Sequence, residues 1–466
     1  MPEDRGARLT ISPTALLTFH AMKATLLVLG LLICSAEAPA ATTTPASTAY
    51  DASPQHPWNQ LNSALFARVA PEGTVYGLDE LDVLYWYGTE HLLTEPSHSA
   101  ALRALDRFIQ SHEERLIRDP FKRTLLQRDL WELFDWAAMP GQTTYPAQRA
   151  ALEGRLATVI RRLALTDAEI AALPDNYAMA APNPDLPRDL FAPDGGWITA
   201  RSNDSDFGSL ASRHTAAFNG HSVFLVMVRL PQGRLKAVDY LNSLRDFEGP
   251  LVYARQQMDT RRLVLNPDVP QFPTGTEWAL VRRLCVIDGQ GRIRPTSLVE
   301  SIQLRRYDSI EPLRVNPDGS SAGSGRPAQQ MFEFDMDRRH DGALKALVIG
   351  DVDFQFVHLM SQGGDPFELA FRNERTPNPT SVRRAALATC YECHASAGIL
   401  SVASFNRERF SPQTVQRLQA TTELPPQIAQ SYTPPPNEQL ETEATVLWKY
   451  RQFDWGLLQG LGRRPE

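Results

Sequence analysis

Residues 278–307 read WALVRRLCVIDGQGRIRPTSLVESIQLRRY. Two runs rich in β-branched and aliphatic side chains flank Asp288-Gly289-Gln290-Gly291, a tetrapeptide of residues that tolerate turn dihedrals. The segment therefore predicts an antiparallel hairpin with arms Trp278–Asp288 and Ile293 to about Tyr307. Outward from it the period of two continues. HSVFLVMVRL from His221 reads as a strand, and QGRLKAVDYLNSL after it reads as a helix. Met331–Asp337 and Ala346–Met360 are further alternating runs, separated from the hairpin by the loop composition of 315–326, VNPDGSSAGSGR. In the last run Val352, Phe354, Phe356, His358 and Met360 share one face, and Asp351, Asp353 and Gln355 share the other. The first face is the one expected to be buried.

Before residue 180 the period is helical. Leu102, Leu105, Phe108, Ile109, His112 and Leu116 fall on one helix face, with Ser97 or Ser99 placed to cap it. A second stripe follows, Leu126, Leu130, Leu133 and Phe134. Pro174, Pro182, Pro184, Pro187 and Pro193, then Gly195-Gly196, break the pattern and mark a boundary. Near the carboxyl end Val446, Tyr450, Phe453 and Leu457 form one side of a last helix. No internal repeat is present.

Lys23 precedes the apolar run Ala24–Cys34, and SAEAPAA follows it. A charged start, an apolar centre and a small-residue end are the order of a secretory signal, with cleavage expected before Ala41. Met22 gives a more compact signal than Met1 and is the alternative start. The run is shorter than the roughly 20 apolar residues of a bilayer span, so the mature chain is expected to be exported, soluble and periplasmic. A lipid anchor at Cys34 is a weaker expectation, because Ile33 stands where a small residue belongs. The 466 residues, 42% apolar and 22% charged, are enough for two or three domains. A net charge of -7 carries no footprint for phosphate backbones, so no nucleic-acid partner is expected.

Four cysteines, at 34, 285, 390 and 393, are too few for a disulfide scaffold. Cys285 lies mid-strand in the hairpin and reads as a core thiol. Cys390-Tyr391-Glu392-Cys393-His394 has the form C-x-x-C-H. On a helical turn, thiols three apart lie on one side, within reach of the two vinyl groups of a haem, while the next imidazole reaches the iron. Thr380-Ser381 would start that helix, VRRAALAT would carry it into the motif and Gly398 would end it. In these five residues the sequence resembles the c-type cytochromes. The resemblance implies one covalent haem c held by Cys390 and Cys393, with His394 as the proximal iron ligand. It covers no more of the chain than this motif and the compartment that the signal implies.

A Cys390–Cys393 disulfide is the competing reading of the pair; zinc is weaker, since no second CxxC or HxxxH accompanies it. No Met or His follows His394, whereas small electron carriers take a sixth ligand from a downstream Met. Met360 or His358 is the foremost upstream candidate for the distal ligand. Met336, His221 and Met227 come after them, and core packing competes for every one of these residues. Asp204-Ser205-Asp206-Phe207-Gly208 lacks the downstream Glu of a calcium loop, and His91, His98 and His112 are not spaced as a ligand set.

The expected fold class is α+β. A signal (1–40) and linker (41–57) precede an N-terminal helical domain (58–180). A Pro-rich linker (181–205), a β-rich middle domain (206–375) and a haem-attachment segment with a C-terminal helix (376–466) follow. The expected function is electron transfer outside the cytoplasm by a monohaem c-type cytochrome-like protein, with a redox partner the sequence does not name. The alternative is a haem enzyme or sensor with an open distal site, peroxidase-like or binding a small gas.

Overall fold

The computed structural model describes residues 50–78, 88–138, 143–202, 214, 221–246, 251–255, 261–265, 268–310, 329–347, 355–356, 364–372, 377, 383–384, 398–402 and 418–420. The elements in chain order begin with α1 (Pro57–Leu65), β1 (Arg68–Val69), β2 (Val75–Tyr76), α2 (Ser97–Gln110), α3 (Pro120–Ala137), α4 (Pro146–Arg162) and α5 (Asp167–Ala171). Then come β3 (Ile198–Ser202), β4 (Ser222–Arg229), α6 (Arg234–Asp246), β5 (Leu251–Arg255), β6 (Arg261–Leu265), β7 (Glu277–Ile287) and β8 (Ile293–Tyr307). The last are β9 (Gln329–Met336), β10 (Leu344–Leu347), β11 (Gln355–Phe356), α7 (Pro366–Phe371), β12 (Arg383–Arg384), α8 (Ile399–Val402) and β13 (Leu418–Ala420). The architecture combines helices and sheets, as an α+β fold requires.

The hairpin forms where its turn residues place it. Asp288 Oδ1 accepts from the backbone N–H of Gln290 at 2.9 Å and of Arg292 at 2.8 Å, and Gly291 takes φ +81°, a left-handed value that favours glycine. Those bonds start the β7–β8 ladder, which is antiparallel with register shifts between Arg282 and Cys285. The pair is the centre of a seven-stranded antiparallel sheet in the order β10-β9-β8-β7-β4-β3-β13.

Both faces of this sheet are covered, which explains why its strands are apolar on both sides rather than alternating cleanly. One face carries Leu225, Met227, Val281, Ile302, Leu304, Phe334 and Met336 into a core shared with α1 through α4. Val228, Trp278 and Tyr307 on the other face join Tyr240, Leu241 and Leu244 of α6, with Phe272 and Ile399, in a second core. The described residues belong to one compact unit. The segment 181–205, expected as a linker, contributes Leu186, Leu190 and Phe191 to the first core, so the helices and the sheet are halves of one interior. The linker expected up to residue 57 already folds at Tyr50, whose ring stacks on Trp58 at 4.2 Å.

Polar side chains fasten the two layers. Gln127 of α3 accepts from the Ile287 N–H at 2.9 Å and donates to the Ile287 carbonyl at 2.8 Å, mimicking a strand at the end of β7. Asn176 does the same for Val299. Asp119 caps α3, accepting from Phe121 N–H, with Pro120 at the first helical position.

Three local expectations are corrected. Helix α2 begins at Ser97 behind Pro96; the Ser99 hydroxyl bonds Glu95 instead of capping. Its stripe ends at Ile109, because His112 takes φ 53° and stops the helix, leaving Leu116 exposed. The run from Ala346 to Met360 is not one strand, since β10 ends at Leu347 in the large sheet and β11 belongs to a separate ribbon with β12. In the same ribbon Arg383–Arg384 are extended, where the sequence led us to expect a helix running from Thr380 into the motif. Cross-strand pairing with Gln355–Phe356 overrides the helix propensity of that Arg- and Ala-rich segment. The expected loop at 315–326, the terminal helix at 446–457, Asp204–Gly208 and the signal segment with Cys34 lie outside the described residues.

Candidate functional site

Cys390, Cys393 and His394 lie outside the described residues, as do His358 and Met360, so their site is located by the chain on either side. Upstream, β12 pairs with β11 antiparallel, Phe356 opposite Arg383 and Gln355 opposite Arg384. Phe356 is fully buried in a cluster of rings with Tyr76, Phe367 and Phe371, at centroid distances of 5.1, 5.3 and 6.2 Å. Arg68 stacks on Phe367 at 4.4 Å and bonds Asp365 at 2.9 Å, and Thr89 also donates to Asp365.

Downstream, Gly398 takes φ +51°, and a Cβ there would lie 2.2 Å from Gln271 Nε2. Gln271 Oε1 accepts from Ile399 N–H at 2.8 Å, Arg305 donates to the Ser401 carbonyl at 2.9 Å, and Tyr307 and Ser401 share a hydroxyl bond of 2.6 Å. The motif thus sits between two anchors on the folded body, Arg384 before it and Gly398 after it. Gly398 stands directly before α8, and the helix expected to end at it lies outside the described residues.

The upstream candidates that are described are core residues. Met227 and Met336 pack in the first core. His221 is fully buried, but its ring nitrogens face carboxylates: Nε2 lies 2.9 Å from Asp135 Oδ2 and Nδ1 lies 3.7 Å from Glu132 Oε1. Cys285 is buried and in no disulfide, as its place mid-strand predicts.

Around His221 lies a network the sequence reading missed. Helix α3 is buried on every side, so Arg128, Glu132 and Asp135, which share a stripe at helical spacing, meet the sheet instead of water. Arg128 pairs with Glu132 and, at 2.9 Å, with Glu300. Ser222 donates to Glu300, Arg282 approaches Glu300 at 3.5 Å, and Arg338 pairs with Asp129. The ring of Trp131 stands edge-on to His221 at 4.5 Å.

Four cations, with His221 protonated, then face four anions. Burial by itself would strip the His221 proton, but Asp135 and Glu132 outweigh it and raise its pKa above the usual imidazole value. Burial also works against ionising Glu132, yet Arg128 and His221 hold it down at about 2. For Asp129 burial wins over Arg338 and Arg128, lifting it to about 6. With its charges matched, the arrangement acts as a clamp between α3 and the sheet. The signal for it was present: Leu125, Trp131 and Trp136 interleave with the charges on the supposedly wet side of α3.

The other sheet face carries a polar patch. Gln303 stands opposite Glu333, and Ser301 opposite Asp335, two and four residues along β8 from the Arg305 that holds Ser401. Among the described residues no group of three or more His, Cys, Asp or Glu is arranged to hold a metal ion, and no helix is long and apolar enough to cross a membrane. No protein-family model matches the chain, and neither does any curated protein or solved structure in the comparisons made.

Proposed function

We propose that the chain is an exported, periplasmic monohaem protein of c-type cytochrome character that passes electrons outside the cytoplasm. The observation that carries this is Cys390-Tyr391-Glu392-Cys393-His394 together with the export signal, two features distant in the chain that agree on one compartment. The donor set fits a covalently attached haem: two thiols three apart and an imidazole directly after the second. Sequestering of Cys285 in β7 supports it, since the remaining downstream thiols are then the motif pair alone. The two anchors support it as well, because they tie a segment of 13 residues, 385–397, to the body at both ends. Cys390 and Cys393 would hold the porphyrin and His394 the iron, and the group so bound supplies a one-electron couple.

A second reading, an open distal side that binds a small oxygen or nitrogen species, is favoured by the register of the ribbon. Because β11 and β12 are antiparallel, the chain leaves Phe356 towards His358 and Met360 in the direction opposite to that in which it leaves Arg384 towards Cys390.

The test of the main reading is covalent haem. Protein made with export and haem-attachment machinery retains haem through denaturing electrophoresis and gains the mass of one haem. Replacing Cys390 and Cys393 by Ala abolishes both. A mature protein without haem that carries a Cys390–Cys393 disulfide refutes it. Carbon monoxide separates carrier from enzyme or sensor: rapid binding to the reduced protein marks an accessible iron.

A further inference from the structure

We draw no further inference here: the strongest candidate, the Ser97–His91 side-chain pair at the start of α2, joins a hydroxyl at 3.2 Å to an imidazole that burial and then the Arg68 charge hold at about 3, too weak a base to take the hydroxyl proton, and nothing in the structure shows what would bind beside it.

Discussion

Asp135 has exchanged its water for the imidazole of His221 at 2.9 Å, deep between α3 and β4. Removing one member of a buried pair strands the other charge, a loss on the order of 3–5 kcal/mol. Asp135→Ala is expected to lower the unfolding free energy by that amount in a denaturant titration, and a loss under about 1 kcal/mol would mean that His221 is neutral. This residue also marks where single-residue reading ends. On its strand, His221 is an imidazole among apolar neighbours and resembles a ligand; what removes it are carboxylates in α3, 86 residues earlier in the case of Asp135. No local pattern announces a partner at that distance. Cys390, Cys393 and His394 are singled out by the sequence alone because the chemistry they suggest is written within five consecutive residues. Thiol counting checks their neighbour: Cys285 is expected to resist thiol reagents in the native protein and to react once it is unfolded, whereas rapid native reaction would contradict its place in the core.

Elements bounded by strong local chemistry were readable in advance. Asp288 and Gly291 fix the β7–β8 hairpin by their own hydrogen bonds and dihedrals, and α3 announces its start with Asp119-Pro120. Elements held by cross-chain pairing were not: β11 and β12 are two residues each, and their pairing defeats the helix expected over Arg383–Arg384. At the far end of that segment Gly398 combines a left-handed φ with a Cβ approach of 2.2 Å to Gln271. Gly398→Ala is expected to cost about 1–3 kcal/mol from backbone strain and contact together. Adding Gln271→Ala should recover the contact part only, and full recovery would show that the dihedral carries no cost. The antiparallel register of β11 with β12 bears on the iron as well. On the open-side reading the reduced wild type binds carbon monoxide rapidly and Met360→Ala and His358→Ala leave the ferric spectrum unchanged, whereas a carrier with its sixth position filled binds it slowly. Conversion from low spin to high spin by either substitution would bring that strand back onto the haem.

At the scale of the whole molecule, a sheet clamped between two cores keeps many ionisable groups away from water, and stability should follow pH through them. Glu132, held near 2 against an ordinary 4.5, contributes stability that is present above pH 4.5 and lost as pH falls towards 2. His221, raised above 6.5, contributes stability that is complete below pH 6.5 and lost as pH rises through its folded value. Asp129, lifted from 3.8 to about 6, works in the opposite sense to Glu132, because ionising it in the fold costs more than in the unfolded chain; its penalty grows between those two values. Asp335 extends the same penalty towards pH 8. Acid therefore weakens the fold through Glu132, while neutral and mildly alkaline conditions weaken it through Asp129, His221 and Asp335 in turn. Denaturation midpoints are expected to peak near pH 4.5–5 and to decline towards pH 8. Asp129→Asn should flatten the slope between pH 4 and 6 whatever it does to the absolute midpoint, since it removes the group that titrates there. A midpoint that climbs steadily from pH 5 to 8 in the wild type would show that these carboxylates ionise in the fold as easily as in water, and the buried clamp around α3 could not then be as dry as its geometry requires.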